Sequence, residues 1–403
     1  MFMANMLTNN PVPSSLIVIP TSLLLDWPCD HEMQTAIELS KKNVVIVYAI
    51  ADGVTLRKFL VNPKPLFPRR ENNLYVFRPL YLIPFQRFRI VRLGNIWLSS
   101  LHLRFFINTR RSWKRLSRLF WTFSLQQEVF PHHFGKTFFP VYDCVDAFTS
   151  ENPRLKRLWE NYEKTQLKQA RVIFANQHTL YKRMRARHRK TFCVPAGFNE
   201  SLFRKSSRWP EPTDLKTIQK PRICFIGNIN TRIDFDFVFR LAKTKISYAF
   251  VFIGAIDDKF TGPPGTNIHD GVNRLKKLPN VYFLGPKHKT LIASYIASCD
   301  IGIIPYDTKQ KFNICCFPMK TLEYFYLGKP VIATPIPELT KLSPYVFTTH
   351  DTAVAGHALD KLIGKTWSRD YKTEQRRIAR NHSWQNKIRS IRTVLHKEYS
   401  ITI

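Results

Sequence analysis

The sequence predicts an α/β protein with two doubly wound parallel sheets. Short apolar runs alternate with longer polar or amphipathic segments, as expected of strands that helices cover on both faces. Each half has six runs with the length and composition of buried strands. They lie at residues 16–20, 44–47, 73–77, 119–122, 138–141 and 171–174, and at 222–227, 249–254, 281–285, 301–305, 330–334 and 346–348. Two such sets indicate two domains, for which 403 residues suffice.

A domain boundary is predicted within residues 204–220. This stretch is rich in Ser, Pro, Thr and charge and lacks apolar periodicity. We therefore expect one domain at 1–205 and a second at 206–370. The remaining residues, 371–403, follow a helical pattern with a single apolar stripe.

The chain is strongly basic, with 62 Lys and Arg against 29 Asp and Glu, a net charge of +33 and a pI of about 10.1. This balance favours anionic partners, namely phosphate ligands, nucleic acid or an anionic membrane. Between Glu71 and Glu128 no acidic residue occurs, and the basic residues from Arg78 to Arg118 alternate with aromatic ones. Such a mixture suits an anionic membrane surface, and equally a nucleic-acid surface or a solvated basic face over an aromatic core.

Cysteine usage and the N-terminal residues predict a cytoplasmic protein. The seven cysteines form no CxxC motif or Cys/His cluster, so we expect a reducing compartment, no zinc site and no disulfide framework. The first basic residue is Lys41, so the apolar run at 15–25 lacks the basic region of a signal peptide. That run is also too short to span a bilayer.

The most informative segment is residues 317–334. Pro318 suits the first turn of a helix, Gly328 suits its end, and an apolar strand follows. Lys320 and Glu323 are three residues apart and share one helix face. A cation and a carboxylate beside a sheet edge suit the phosphates and ribose hydroxyls of a nucleotide diphosphate, although such a pair is more often a solvated surface pair.

This segment resembles the donor-sugar motif of the GT-B glycosyltransferases, nearest to family 4 and the related bacterial surface-polysaccharide (teichuronic-acid-type) enzymes. The family motif reads P-x-K-x-x-E-Y and then G-K-P-V-[IV]-A-[ST]. The chain matches it at Pro318, Lys320, Glu323, Tyr324 and residues 328–334. The resemblance implies a GT-B fold, in which two Rossmann-like domains face a cleft. It also implies a C-terminal crossover helix, within 371–403, that packs back on the N-terminal acceptor domain.

The resemblance places a nucleotide-sugar donor site in the C-terminal domain, at the carboxyl ends of its strands. Arg232 and Lys320 are expected to hold the diphosphate, and Glu323 to accept the ribose hydroxyls. The full set of implied donor-binding residues is Gly227, Asn228, Arg232, Gly285, Lys287, Asn313, Lys320 and Glu323. Two glycines of this set let the pyrophosphate and the base approach the backbone closely.

Two departures from the family pattern affect this site. The first glutamate of the family's E-x7-E motif is absent, and Cys315 stands in its place. We expect Asn313 to meet the sugar or the diphosphate instead. The lysine that usually follows Arg232 is also missing, and Lys320 is expected to replace it. The alternative for Arg232 is a surface pair with a neighbouring aspartate.

Acceptor-side residues are implied in the N-terminal domain. Asp143 and Asp146 follow a strand and resemble the Y-D-x-x-D of the surface-polysaccharide enzymes. We expect them to face the cleft, where they orient the acceptor hydroxyl or act as a base. The alternative is that they cap a helix. Asp26 and His31, after the first strand, resemble the acceptor-side loop of the same enzymes.

These residues predict a hexosyltransferase-type glycosyltransferase. We expect it to use no cofactor and no D-x-D metal motif, and to move a sugar from a nucleotide diphosphate to a glycan or lipid-linked acceptor with retention. Arg232, Lys320, Asp143 and Asp146 are its predicted catalytic residues. We expect it to act in cell-surface polysaccharide synthesis, at the inner face of the cytoplasmic membrane. The alternatives are a non-catalytic GT-B scaffold at a membrane and a basic nucleic-acid-binding protein, although nucleic acid is the less expected partner.

Overall fold

The chain forms two α/β units, each built on one large sheet. The computed structural model describes residues 13–21, 31–62, 67–85, 87–123, 137–147, 149, 152–204, 209–257, 267–365 and 367–403. Within these residues the predicted α/β class with two doubly wound sheets is confirmed. Each of the twelve predicted strand segments contains a strand.

The first sheet has eight strands in the order β10-β9-β8-β7-β1-β2-β5-β4, and only the β4–β5 pair is antiparallel. A separate parallel pair joins β3 to β6. The strands of this half are β1 (Ser15–Thr21), β2 (Val44–Ala49), β3 (Val54–Thr55), β4 (Arg69–Glu71), β5 (Leu74–Phe77), β6 (Leu80–Tyr81), β7 (Ser117–Thr122), β8 (Phe139–Cys144), β9 (Val172–Ala175) and β10 (Thr191–Cys193). Its helices are α1 (His31–Ser40), α2 (Leu56–Val61), α3 (Arg89–Asn108), α4 (Pro153–Gln169) and α5 (His178–Arg185).

The second sheet is parallel throughout, with six strands in the order β13-β12-β11-β14-β15-β16. Its strands are β11 (Arg222–Ile226), β12 (Ala249–Ile253), β13 (Val281–Phe283), β14 (Ile301–Ile304), β15 (Val331–Ala333) and β16 (Val346–Thr348). The helices around it are α6 (Thr213–Lys216), α7 (Phe235–Thr244), α8 (Ile268–Lys276), α9 (Ile292–Ala297), α10 (Lys311–Ile314), α11 (Lys320–Tyr326), α12 (Pro337–Thr340) and α13 (Thr352–Gly364).

Two C-terminal helices follow, α14 (Arg369–Asn381) and α15 (Trp384–Tyr399). Helix α14 packs against α11 of the second unit. Helix α15 returns to the first unit, where Ile388, Ile391 and Leu395 join the core between its sheet and α1. The apolar stripe read from the sequence is therefore a buried packing surface. Of the predicted domain boundaries, 205/206 lies outside the described residues and 370/371 lies within α14, and both remain predictions.

Both faces of the first sheet are covered. Helices α1 and α15 cover one face, and α3 covers the other through Ile96, Leu103 and Phe106. Because both faces of this sheet are buried, only residues at the ends of its strands can reach a ligand.

Polar contacts join the two units. The backbone nitrogen and hydroxyl of Thr179 on α5 donate to Glu338 Oε1 on α12, at 2.7 and 2.6 Å. The Tyr326 hydroxyl donates to Glu200, at 2.9 Å. Because Thr179 follows the carboxyl end of β9 and Glu338 that of β15, these ends of the two sheets meet at the boundary between the units, which we call the gap.

The expectation that no disulfide forms was wrong. Cys224 on β11 and Cys299 before β14 are joined by a disulfide bond. The two strands are neighbours, with Ile223 opposite Ile301, so their cysteines lie side by side despite a separation of 75 residues. Local sequence patterns carry no signal for such a pair.

No helix in the described part of the chain combines the length and the apolar character needed to cross a membrane.

Candidate active site

Glycines form the floor of the candidate site. Gly227, Gly254 and Gly285 directly follow or lie close after the adjacent strands β11, β12 and β13, with φ angles of +135°, +155° and +68°. A Cβ atom on Gly254 would lie 2.0 Å from the Gly227 carbonyl oxygen, so only glycine fits there. Nothing lies within 4 Å of the Cβ position of Gly285. Sequence analysis named two of these glycines but not Gly254, although its position at a strand end was visible.

Lys320 points toward this glycine floor. Its ammonium Nζ donates to the Tyr306 hydroxyl at 2.6 Å and lies 3.9 Å from the centre of the Phe225 ring. A Cβ atom on Gly227 would lie 3.1 Å from the same Nζ atom. The side chain is only 9% exposed, and no described carboxylate forms an ion pair with it. A cation packed against two aromatic faces is desolvated, and it therefore attracts an anion strongly.

Glu323 stands one turn further along α11. Burial raises the pKa of its carboxyl group to about 7, although the charge of Lys320 acts in the opposite direction. The side chain nevertheless retains some solvent exposure. Surrounding protein therefore desolvates the carboxyl group while leaving it an opening. Its oxygens hydrogen-bond to none of the described residues, so they are available to accept a ligand's hydroxyl groups.

Arg232 lies in the loop between β11 and α7. Its Nε donates to Asn313 Oδ1 at 2.8 Å, and its guanidinium carbon lies 4.3 Å from the Tyr306 ring centre and 4.7 Å from that of Phe312. Two aromatic faces and a buried amide therefore fix the direction of the guanidinium group. Tyr306 contacts both Arg232 and Lys320, so it holds the two cations in one place.

Asn313 does not reach a ligand, contrary to expectation. It is completely buried. Besides accepting from Arg232, its Nδ2 donates to the carbonyl oxygens of Arg232 and Asp307, at 3.1 and 2.8 Å. Its amide is used by the protein, so Asn313 positions Arg232 and does not contact the sugar or diphosphate.

The neighbouring aspartates do not pair with Arg232. Asp234 caps α7 by accepting from the Phe237 backbone nitrogen at 2.8 Å, and Asp236 pairs with Arg274. Residues 234–236 do read Asp-Phe-Asp, so the expectation that the chain lacks a D-x-D sequence was wrong. Among the residues the structure describes, no cluster of three or more His, Cys, Asp or Glu side chains is placed to hold a metal.

Asp146, in the first unit, interacts electrostatically with Arg232 of the second unit. It follows β8, and burial raises the pKa of its carboxyl group while the charge of Arg232 acts to lower it. The two side chains come from opposite sheets and still interact electrostatically. Asp146 and Arg232 are therefore close enough for their charges to interact, and an acceptor-side role for Asp146 remains a prediction.

Asp143 does not fit the catalytic role that was predicted for it. Its side chain is completely buried, and Lys387 Nζ of α15 lies 2.9 and 3.1 Å from its two carboxylate oxygens. Burial raises the pKa of Asp143, and Lys387 opposes that shift. The carboxylate faces a C-terminal helix rather than the gap, so it has no access to an acceptor. Sequence analysis missed Lys387, because its partner lies 244 residues away.

The buried pair leads to a stability prediction. Asp143→Asn leaves the Lys387 ammonium buried without its counter-charge, so we expect the free energy of unfolding to fall by about 3–5 kcal/mol. Denaturant unfolding would measure the change. Adding Lys387→Met should restore much of the loss, whereas Glu398→Gln in the exposed pair with Lys190 should cost about 1 kcal/mol or less. If Asp143→Asn cost no more than the surface control, the ion pair would not stabilise the fold.

The remaining predicted residues lie at the rim or outside the site. Lys287 forms an ion pair with Asp214 at 2.7 Å, which occupies its charge. Asn228 is exposed, and its Nδ2 donates to Asp257 at 3.3 Å. His31 begins α1, and burial, with Lys387 nearby, lowers its pKa to about 3, so the ring is neutral at pH 7. Asp26 lies outside the described residues.

Comparison with known proteins agrees with this geometry. Residues 220–364 match the family model described as glycosyl transferases group 1. The putative teichuronic acid biosynthesis glycosyltransferase TuaH of Bacillus subtilis (strain 168) is 27% identical over 270 residues, which cover 62% of this chain and 65% of that protein. The matched region thus spans slightly less than two thirds of that relative's length.

Solved structures show the same fold over nearly the whole chain. Sucrose-phosphate synthase from Thermosynechococcus elongatus superposes with a TM-score of 0.66 at 12% identity, covering 96% of this chain and 99% of that one. Anabaena Alr3699/HepE in complex with UDP and glucose gives a TM-score of 0.66 at 13% identity, covering 95% and 100%. The two sheets and these neighbours define the GT-B fold. The match of residues 220–364 to the group 1 model confirms the predicted similarity of this domain to glycosyltransferases. The similarity to TuaH confirms the predicted resemblance to bacterial surface-polysaccharide enzymes.

Proposed function

We propose that this chain transfers a sugar from a nucleotide diphosphate donor to a glycan or lipid-linked acceptor during synthesis of a cell-surface polysaccharide. One observation carries the proposal. Lys320 stands beside the glycine floor, the accessible, desolvated carboxyl group of Glu323 lies one turn further along the same helix, and Arg232 stacks on the Tyr306 ring that Lys320 also contacts. The names of two similar proteins add support, since HepE was solved with UDP and glucose and TuaH is named for teichuronic acid biosynthesis.

The donor's charge is matched by two cations. The diphosphate lies over the backbone of Gly227, next to Lys320 Nζ, and Arg232 and Lys320 bind its oxygens. The base occupies the open space at Gly285. Glu323 accepts hydrogen bonds from the two neighbouring hydroxyls of the donor's ribose, because its two carboxylate oxygens can each accept one.

The same two cations stabilise the leaving group. When the bond from the anomeric carbon to the diphosphate oxygen breaks, its electron pair stays on the diphosphate. Arg232 and Lys320 already face that position, and their aromatic surroundings exclude water, so the developing charge is stabilised without reorganisation. The reaction therefore proceeds without a bound metal ion in this proposal.

Asp146 serves the acceptor. Its carboxyl group accepts a hydrogen bond from the acceptor hydroxyl and orients that hydroxyl for attack on the face of the sugar that the diphosphate leaves, while the hydroxyl proton passes to the departing diphosphate oxygen. We place His31 and Asp26 at the acceptor side, and we propose that the sugar is transferred with retention. Determination of the product's anomeric configuration by NMR tests retention, and an inverted product would refute it.

One departure from the family's sequence motif favours a second function. Cys315 replaces the first family glutamate, and its carbonyl oxygen accepts a hydrogen bond from Gln177. A GT-B scaffold without activity, bound at a membrane, would tolerate such a loss. A nucleic-acid-binding protein is suggested only by the net charge of +33.

A donor screen distinguishes these functions. We expect one nucleotide sugar from a panel to raise the melting temperature of the purified chain, because a ligand that binds only the folded state stabilises it by mass action. The same compound should then be hydrolysed or transferred. Binding without turnover on any acceptor would favour the scaffold, and salt-sensitive RNA binding without nucleotide-sugar binding would favour the nucleic-acid alternative.

A further inference from the structure

Helix α3 is apolar on two opposite faces. Its inner face packs on the first sheet. Its outer face remains open, and it carries five large apolar residues spaced three or four apart. They are Ile90, Leu93, Trp97, Leu101 and Phe105, exposed by 80%, 40%, 58%, 38% and 70%. Spacing of three or four residues places all five on one side of the helix. A solvent-facing stripe of this size marks an interaction surface.

Neighbouring segments extend the apolar surface. Phe85 and Phe88, just before α3, are 68% and 52% exposed, and Leu60 and Val61 at the end of α2 are 73% and 83% exposed. The short strands that precede these segments, β3 and β6, pair with one another. The two apolar segments therefore start from the same small sheet.

Arginines surround this stripe without acidic partners. Arg87 and Arg89 lie at the start of α3 and Arg104 near its end, and all three are exposed. None of them forms an ion pair with a carboxylate of the described residues, and the sequence has no acidic residue from 72 to 127. The surface therefore combines apolar area with uncompensated positive charge.

The segment that leads into α3 is anchored near the carboxyl ends of the strands of the first sheet. Tyr81 on β6 donates from its hydroxyl to the Ile50 carbonyl at 2.8 Å, and Ile50 follows the carboxyl end of β2. Asp146 follows the carboxyl end of the parallel strand β8 in the same sheet. Phe85 and Phe88 therefore follow a strand that is fixed at the same end of the first sheet as Asp146.

We propose that the outer face of α3, with Phe85 and Phe88, docks on an anionic lipid bilayer. A bilayer accepts both components, since its acyl region takes the apolar side chains and its headgroups neutralise the arginines. A second copy of this chain would bring arginines against arginines, and RNA would leave the apolar stripe exposed. The inference deepens and rests on the proposed function, because it identifies the acceptor as a lipid-linked molecule that enters the gap from the membrane.

Vesicle binding by the full chain tests the proposal. We expect co-sedimentation with phosphatidylcholine vesicles that contain 30% phosphatidylglycerol, on the order of the mole fractions that give a negative surface potential, and little with phosphatidylcholine alone. The triple variant Arg87→Gln, Arg89→Gln, Arg104→Gln should bind roughly 100-fold more weakly, at about fivefold per arginine. Ile90→Ser with Trp97→Ser should weaken binding at least about tenfold, because two buried apolar side chains are lost.

Matched controls come from other exposed positions. Ile246→Ser in the second unit, and Lys156→Gln with Arg157→Gln on α4, remove comparable side chains far from the stripe and should not change vesicle binding. Brominated lipids should quench tryptophan emission more in the unmodified chain than in Trp97→Phe. Since all substituted residues are exposed, donor binding by thermal shift should persist in every variant. If the unmodified chain bound no donor, that result would instead refute the proposed function.

Three results would overturn the proposal. Equal binding to neutral and anionic vesicles would remove the role of the arginines. A dimer in analytical ultracentrifugation that Ile90→Ser with Trp97→Ser dissociates would assign the stripe to self-association. Binding of RNA that depends on these arginines but not on Trp97 would assign the surface to nucleic acid.

Discussion

Glu323→Ala is expected to abolish donor binding while the protein remains folded. A carboxylate that accepts two hydroxyl groups contributes about 1.5–3 kcal/mol for each bond, so we expect affinity for the donor to fall by about 100-fold or more. The fold should persist because the carboxyl group hydrogen-bonds to none of the described residues. Isothermal titration with the nucleotide sugar found by the screen would measure the loss, and circular dichroism would confirm folding.

Two controls sharpen this prediction. Glu374→Ala removes an exposed carboxylate that pairs with Arg377 on α14, and it should not change donor affinity. Glu323→Gln keeps the size of the side chain but loses the charge, so its affinity should lie between those of the unmodified chain and Glu323→Ala. Unchanged affinity in Glu323→Ala would refute the assignment of the donor site.

The raised pKa of Glu323 adds a pH dependence. The carboxyl group has a pKa of about 7 in the folded chain and an ordinary value of 4.5. Between these values the folded state holds a proton that the unfolded state has lost, so this group's contribution to stability falls as pH rises through that window. Donor affinity should rise with pH through about 7, because the ionised form accepts both hydroxyls. Glu323→Gln should lack both dependences, and a pH-independent affinity in the unmodified chain would contradict this account.

Arg232→Met is expected to lower kcat by about 10²–10³-fold, which is the typical effect of removing one group that stabilises a developing anion. The guanidinium group is fixed by Asn313 and by two aromatic rings, so its stabilisation of the leaving diphosphate requires no rearrangement. Arg232→Lys keeps the charge but loses the planar hydrogen-bonding geometry, so it should recover only part of the rate. Steady-state transfer assays with the identified donor would measure kcat.

Asn313 offers a test of positioning. Asn313→Ala leaves the charge of Arg232 in place but removes the acceptor of its Nε. We expect kcat to fall less than in Arg232→Met and the loss to be non-additive in the double variant, since both act through one group. Arg274→Met removes an exposed arginine that pairs with Asp236 and should leave kcat unchanged. A normal kcat in Arg232→Met would exclude Arg232 from leaving-group stabilisation.

Local pattern in the sequence determined the strands, their class and the placement of Lys320 and Glu323 on one helix. Apolar runs bounded by glycine or proline predicted twelve strand segments, and each contains one. The spacing of Lys320 and Glu323 also sufficed, because both lie on one short helix and are brought together by its 3.6-residue period. Strand ends and helix faces are properties of neighbouring residues, so sequence alone is informative about them.

Tertiary structure alone decided which distant side chains meet. The ion pair of Asp143 with Lys387 and the hydrogen bonds of Asn313 to the Arg232 loop join residues far apart in the chain. Because of these contacts, Asp143, predicted to be catalytic, and Asn313, predicted to contact a ligand, are instead buried residues that bind other side chains of the protein. The exposure of the outer face of α3 is likewise invisible in its composition, which is apolar on both sides. Such outcomes depend on which sheets and helices pack together, and local periodicity does not encode that choice.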